Sequence, residues 1–116
     1  MKLDFDKRST CPLSSWLDLF GDKWTLLIIR DIAFFGKRHF KDFMASEEKI
    51  STNILADRLK RLEQIDIVTK TPNPTNKLLN DNVLTPRAYA MAPIFKAIAE
   101  WSEANIEKVR QVEFPV

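Results

Sequence analysis

The stretch Ile50–Gln64, I-S-T-N-I-L-A-D-R-L-K-R-L-E-Q, constrains this chain more than any other. Ser51 is a natural helix N-cap, and Leu55, Leu59 and Leu62 recur at i, i+4 and i+7, which gives a helix one apolar stripe. At about 100° per residue, Asn53, Asp57, Lys60 and Gln64 then share the opposite side. That face carries amides, an ammonium and a carboxylate, groups that donate to or accept from base edges. Arg58 and Arg61 flank it where phosphates would lie. Two readings stand at this point: a recognition helix for nucleic acid, or an ordinary amphipathic helix with a solvated face. The neighbouring segments discriminate between them.

Before Ile50, the run Phe40, Phe43 and Met44 predicts a short helix that ends in the polar turn Ala45-Ser46-Glu47-Glu48-Lys49. A short helix, a polar turn and a second helix with an outward polar face make a helix-turn-helix over 39–64. After Gln64, Ile65–Thr71 is β-branched and partly alternating and reads as a strand; Pro72-Asn73-Pro74 breaks it, and Asn82-Val83-Leu84 returns as a second. This hairpin, over 66–84, is a wing that must pack on the helices, because two strands do not stand alone in water.

The flanks complete one domain over 1–116, which opens with a flexible polar arm at 1–10. Cys11-Pro12 opens a helix with proline at its first position. Leu13, Trp16, Leu17 and Phe20 give that helix its apolar spacing, and Gly21 is expected to stop it by taking a positive φ. From Trp24 to Phe35 the chain is apolar on nearly all sides, a central buried helix closed by Gly36. Thr85-Pro86 is again an N-cap followed by proline, and Pro93 interrupts or restarts the helix. Ile94, Phe95, Ile98, Trp101 and Ala104 then form a stripe on a helix reaching about Val112, so that 86–112 reads as a C-terminal dimerisation segment. Leu13, Trp16, Phe95, Ile98 and Trp101 are the interface candidates, since a C2 pair of readers matches a pseudo-palindromic DNA site; the alternative is that the last helix folds back over its own core. The fold class is therefore mainly α with a small β-hairpin wing, a winged helix-turn-helix with added N- and C-terminal dimerisation helices.

Composition limits the partners. With 45% hydrophobic and 29% charged residues the chain is of the soluble globular class. No apolar run approaches the roughly 20 residues of a membrane span. The start M-K-L-D-F-D-K-R lacks a signal-peptide core, so the expected compartment is the cytoplasm, with no membrane partner. Net charge is only +2, distributed as +3 over Lys37–Arg87 and −1 elsewhere. DNA binding should therefore rest on a docked helix plus a limited set of phosphate contacts. An enzyme finds little support: His39 is the single histidine, without ligand-spaced partners, and no glycine-rich phosphate loop occurs, so no metal and no cofactor are expected. Asp22 and Lys23 beside Trp24 read as a helix start. A protein-interaction module is the more serious rival, distinguished by a salt-insensitive partner.

These pieces in their order resemble the HxlR-type winged helix regulators, over about Cys11 to Trp101. The resemblance is carried by Cys11-Pro12, Gly21-Asp22-Lys23-Trp24-Thr25-Leu26-Leu27-Ile28, Arg38-His39-Phe40 with Phe43, Ile50-Ser51, Asn53, Leu55, Arg58-Leu59, Leu62-Glu63, Ile67-Val68, Leu84-Thr85 and Trp101. It implies a cytoplasmic homodimer on operator DNA, the helix from Ser51 in the major groove, the wing near the adjoining minor groove or backbone, and the first and last helices pairing the subunits. Thr52, Asn53, Ala56 and Lys60 become base-reading or groove-facing candidates, and Arg38 and Arg58 phosphate or architectural ones. Asp57 either accepts from a cytosine amino group or pairs with Arg61 at i, i+4. The chain departs from the family pattern at Asn82, where a tyrosine is usual, at Ala88, where a glycine is usual, and in a wing that has Lys77 as the one cation of its tip.

Cys11, the one cysteine, excludes an internal disulfide. At a helix N-terminus with Lys7 and Arg8 close in sequence, it is the candidate for a thiolate that answers oxidants or electrophiles, as the matching cysteine does in several members of the family it resembles. Its plain alternative is a small buried hydrophobe at the dimer seam, leaving a ligand-responsive regulator without a thiol switch. The effector, oxidant or small molecule, is not specified by the sequence.

Overall fold

The computed structural model describes residues 1–111. Six helices and one hairpin follow in order: α1 (Pro12–Phe20), α2 (Thr25–Phe35), α3 (Phe40–Phe43), α4 (Thr52–Gln64), β1 (Val68–Pro72), β2 (Asn80–Leu84), α5 (Pro86–Tyr89) and α6 (Ala92–Asn105). This is the winged helix-turn-helix arrangement that the hydrophobic spacing predicts. Ile28, Ile29 and Ile32 of α2 bury against Phe43 of α3, Leu55, Leu59 and Leu62 of α4, and Val68 at the start of the wing. The hairpin is antiparallel, with Val68 opposite Leu84 and Pro72 opposite Asn80.

Local chemistry sets most of the boundaries. Ser51 caps α4 by accepting from the Ile54 amide, and Thr85 caps α5 by accepting from the Ala88 amide. Pro93 restarts the chain as the second residue of α6. Gly36 takes φ +64 and closes α2, as expected. Gly21 does not behave as expected: its φ is −80, and a Cβ there would run into the Leu17 carbonyl that its own amide donates to. Close backbone approach, not a left-handed conformation, requires the glycine.

Further boundaries differ from the sequence reading; the second strand starts at Asn80, two residues before the expected Asn82, and the first includes Pro72. The first strand begins at Val68 instead of Ile65, because Asp66 adopts φ +60 and the chain closes α4 with a double turn. There the Ile67 amide donates to the Leu62 carbonyl and the Asp66 amide to that of Glu63, with Ile67 and Leu62 both buried. This is the Schellman closure, with aspartate where glycine is usual. The last helix ends at Asn105, not near Val112, which lies outside the described residues. The Asn105 side chain donates to the Trp101 carbonyl, and Ile106 leaves the helix in an extended conformation.

The arm at 1–10 is tied down: Arg8 pairs with Asp18, the Ser9 carbonyl accepts from the Ser15 hydroxyl, and the Met1 carbonyl accepts from Arg87.

Candidate nucleic-acid interface

The apolar stripe of α4 is buried to the point that Leu55 and Leu62 expose nothing, and this fixes which side faces out. Thr52, Asn53, Ala56, Asp57, Lys60, Arg61 and Gln64 are all exposed, together with the capping Ser51. A helix held by leucines on one side thus presents hydrogen-bonding groups and a cation on the other.

The turn that delivers α4 is clamped to α2. Arg30 grips Glu48 through two bonds of 2.7 and 2.8 Å, and also pairs with Asp31 at 2.8 Å. Asp31, 2% exposed, accepts from Lys37 at 3.4 Å and from the Ser46 hydroxyl. Hydrogen bonds from Arg30 hold the Glu48 carboxyl at about 2, against an ordinary 4.5, despite the opposing effect of burial. Lys49, exposed and at φ +60, completes the turn just before Ile50. Sequence reasoning missed Asp31 and Lys49: nothing in the local pattern marks a non-glycine residue for a left-handed turn, and an aspartate beside arginine reads as surface.

Arg58 does not extend outward. Its Nε donates to Asp22 at 2.9 Å, its Nη1 to Asp57, and its side chain is 20% exposed. Asp22 in turn accepts from the Trp24 and Thr25 amides and the Thr25 hydroxyl, so one carboxylate joins the start of α2 to the middle of α4. Burial pushes the Asp22 carboxyl up, but the Thr25, Arg58 and Trp24 donors outweigh it and hold it at about 2. The Arg58 guanidinium is correspondingly shifted up, chiefly by its bond to Asp22. Of its two sequence readings, phosphate contact and architecture, these contacts support architecture. Arg38 is similar: its Nη1 donates to the Ile32 and Lys37 carbonyls at 3.0 and 2.8 Å. Asp57 also approaches Arg61 at 3.7 Å, the i, i+4 pairing considered from sequence.

The wing is braced through its second strand and the start of its loop. His39 Nε2 meets Asp81 Oδ1 at 2.8 Å, and the Asn73 amide donates to the same oxygen at 3.0 Å. Asn82, at the position of the family tyrosine, is buried and donates from its side chain to the Arg38 carbonyl at 2.9 Å, leaving its Oδ1 unpartnered. Lys77 is exposed at the tip, between Thr75-Asn76 and the exposed Leu78.

The interface candidates divide. Leu13, Ile98 and Trp101 are 67%, 45% and 62% exposed. Trp16 and Phe95 turn inward: Trp16 packs on Phe20 with ring centroids 5.0 Å apart, and Phe95 meets Phe34 edge to face at 6.3 Å. Leu17, Ile94 and Ile106 join the exposed apolar set; Leu17 and Ile94 belong to the apolar stripes read from sequence but not to the interface candidates, and Ile106 carried no sequence signal. Cys11 is exposed as the N-cap residue of α1 and makes no side-chain cap bond. The two cations near it in sequence are engaged elsewhere, Arg8 with Asp18 and Lys7 with the Phe5 carbonyl and Asp4. Among the described residues no helix is long and apolar enough to cross a membrane.

A helix-turn-helix with an exposed polar face on its second helix, followed by a braced hairpin, defines a winged helix DNA-binding protein. Residues 19–110 match the family model described as HxlR-like helix-turn-helix, and the chain belongs to that family. It is 32% identical over 98 residues to the HTH-type transcriptional regulator YodB of Bacillus subtilis, a match covering 84% of this chain and 87% of that protein. The reduced form of YodB superposes with a TM-score of 0.68 at 30% identity, covering 88% of this chain and all of that one. The redox regulator HypR in its oxidised form gives 0.70 at 26% identity, covering 84% and 99%. The structure of PA1607 gives 0.78 at 31% identity, covering 92% and 75%. The protein is a DNA-binding transcription regulator, and its named relatives are regulators, not enzymes.

Proposed function

We propose that the protein acts in the cytoplasm as a homodimer on a pseudo-palindromic double-stranded operator, with α4 of each subunit in the major groove. The exposed face of α4, set by its buried leucines, carries this reading. Asn53, Lys60 and Gln64 supply groups for base edges, while Ser51, Thr52, Ala56 and Arg61 line the approach to the groove wall. Asp57 limits sequence-blind attraction by pairing with Arg58 and Arg61. Arg58 and Arg38 hold the reading helix and the wing in place, and Lys77 is the wing's cation for the phosphate backbone.

The test is fluorescence anisotropy on DNA from upstream of the protein's own and neighbouring genes, at two salt concentrations against random competitor. Specific binding that weakens with salt is expected. Asn53→Ala with Lys60→Ala should leave the fold and oligomeric state intact and weaken operator binding by about 10²-fold or more, since each good base contact contributes about 1–3 kcal/mol of discrimination. Unchanged affinity in that double variant would remove α4 as the reader. A salt-insensitive protein partner with no DNA shift would favour the interaction module.

A second element rests on Cys11. We propose that this exposed thiol is where oxidants or electrophiles act, a reading supported by its place at the N-terminus of α1 and by the similarity to YodB, which has been crystallised quinone-bound and diamide-treated. Diamide or quinone should change operator affinity in the native protein and not in Cys11→Ser; an equal response in both would assign the signal to another part of the molecule.

A further inference from the structure

Between the C-terminal half of α2, the end of the wing, α5 and the first turns of α6 lies a cavity of about 240 Å³. Ile29 and Ile32, each 2% exposed, form part of its lining, and Phe34 and Phe95 meet edge to face along it. Arg38 is the one charged side chain among its lining residues. The bonds from its Nη1 to the Ile32 and Lys37 carbonyls fix the guanidinium there but satisfy only part of it. It forms no ion pair with a carboxylate of the described residues; the neighbouring Asp81 is taken by His39 and Asn73. Asp81 is near enough to feel the charge of Arg38 but lies outside ion-pair distance, so the guanidinium stands beside an apolar chamber with N–H groups left for a further acceptor.

We propose that this cavity binds a small organic acid, an aromatic carboxylate of one or two rings. The carboxylate pairs with the Arg38 fork, whose planar donors suit that shape, and the ring lies against Ile32, Phe34 and Phe95. The volume sits below the roughly 300–1,000 Å³ usual for larger ligands, which limits the occupant to this size. Tyr89, 63% exposed, stands at the rim and leaves an entrance. The bound acid touches α2, the end of the wing and α6 at once, so occupancy biases how α6 sits against the DNA-reading body and hence the spacing of the two α4 helices in a dimer. That regulatory consequence rests on the operator reading above; the binding itself does not.

Titration calorimetry of the full chain without DNA, using 2-naphthoate and its neutral analogue 2-naphthamide, tests the site. One naphthoate per chain is expected, with the amide weaker by about tenfold or more, as loss of a charge-assisted pair requires. Arg38→Gln should bring naphthoate down to the affinity of the amide. Ala92→Leu, which fills the chamber and leaves Arg38 in place, should weaken both; should Arg38→Gln fail to fold, the acid-to-amide comparison and Ala92→Leu decide. No heat of binding, equal affinity for acid and amide, or unchanged affinity in Ala92→Leu would overturn the proposal. Operator anisotropy on the same samples separates the two readings. Naphthoate binding without DNA binding would sink the operator reading and leave the site standing, and DNA binding without naphthoate binding would do the reverse.

Discussion

Asp22 and Glu48 are the carboxyls through which α4 and the turn before it are fastened to α2. Both are more acidic in the folded chain, at about 2, than their ordinary values of 3.8 and 4.5. Their contribution to stability is therefore complete above about pH 4.5 and is lost as pH falls toward about 2. With side chains 24% and 30% exposed, each contributes about 1–2 kcal/mol after allowance for solvent screening. Asp22→Asn with Glu48→Gln should be less stable than the native protein at pH 7 and approach it near pH 2. Urea denaturation across that range checks this, and a gap that stays constant down to pH 2 would show that other groups set the acid response. Asp22 was legible as a helix cap, but its hold on Arg58, 36 positions away, was not, because no local pattern encodes a long-range ion pair.

α4 is an element whose start, apolar stripe and outward face follow from spacing alone, while its end does not. Asp66 occupies the left-handed position of the closing motif, a conformation that opposes an L side chain by about 1–2 kcal/mol. Its exposed contact with Arg87, at 3.5 Å, adds little. Asp66→Gly should therefore stabilise the protein by about 0.5–1 kcal/mol, the relief of strain exceeding the added entropy of the unfolded chain. A thermal melt that rises by a few degrees would agree; a fall would mean that Asp66 has a role in holding α5. The wing shows the same limit from the other side. Its β-branched run predicted a strand, yet Asn80 and Asp81 belong to the second strand because of the partners opposite them, not because of their own preference.

At the scale of the molecule, apolar side chains left in water on α1 and α6 are what a second subunit would cover. Ile98→Glu with Trp101→Glu changes side chains that are 45% and 62% exposed in the single chain, so the fold should persist while the proposed dimer dissociates. Sedimentation velocity should then report a monomer, and affinity for a two-half-site operator should fall about 10²-fold or more through loss of the linked second half-site. A double variant that remained dimeric would place the subunit contact elsewhere, with α1 the next surface to test.

Periodicity, caps and turn chemistry determined by themselves the order of helices, the hairpin, the buried leucines of α4 and the identity of its exposed face. Each follows from interactions within a few residues or from the need to bury one stripe. Only the tertiary structure decided that Arg58 and Arg38 point inward, that Trp16 and Phe95 serve the chain's own core, and that Gly21 is required by a crowded carbonyl. It alone placed Arg38 as the one charged side chain among the residues that line an apolar chamber. Those outcomes depend on which distant groups the packing brings within a few ångströms, and burial and ion pairing act through that distance, not through position along the chain.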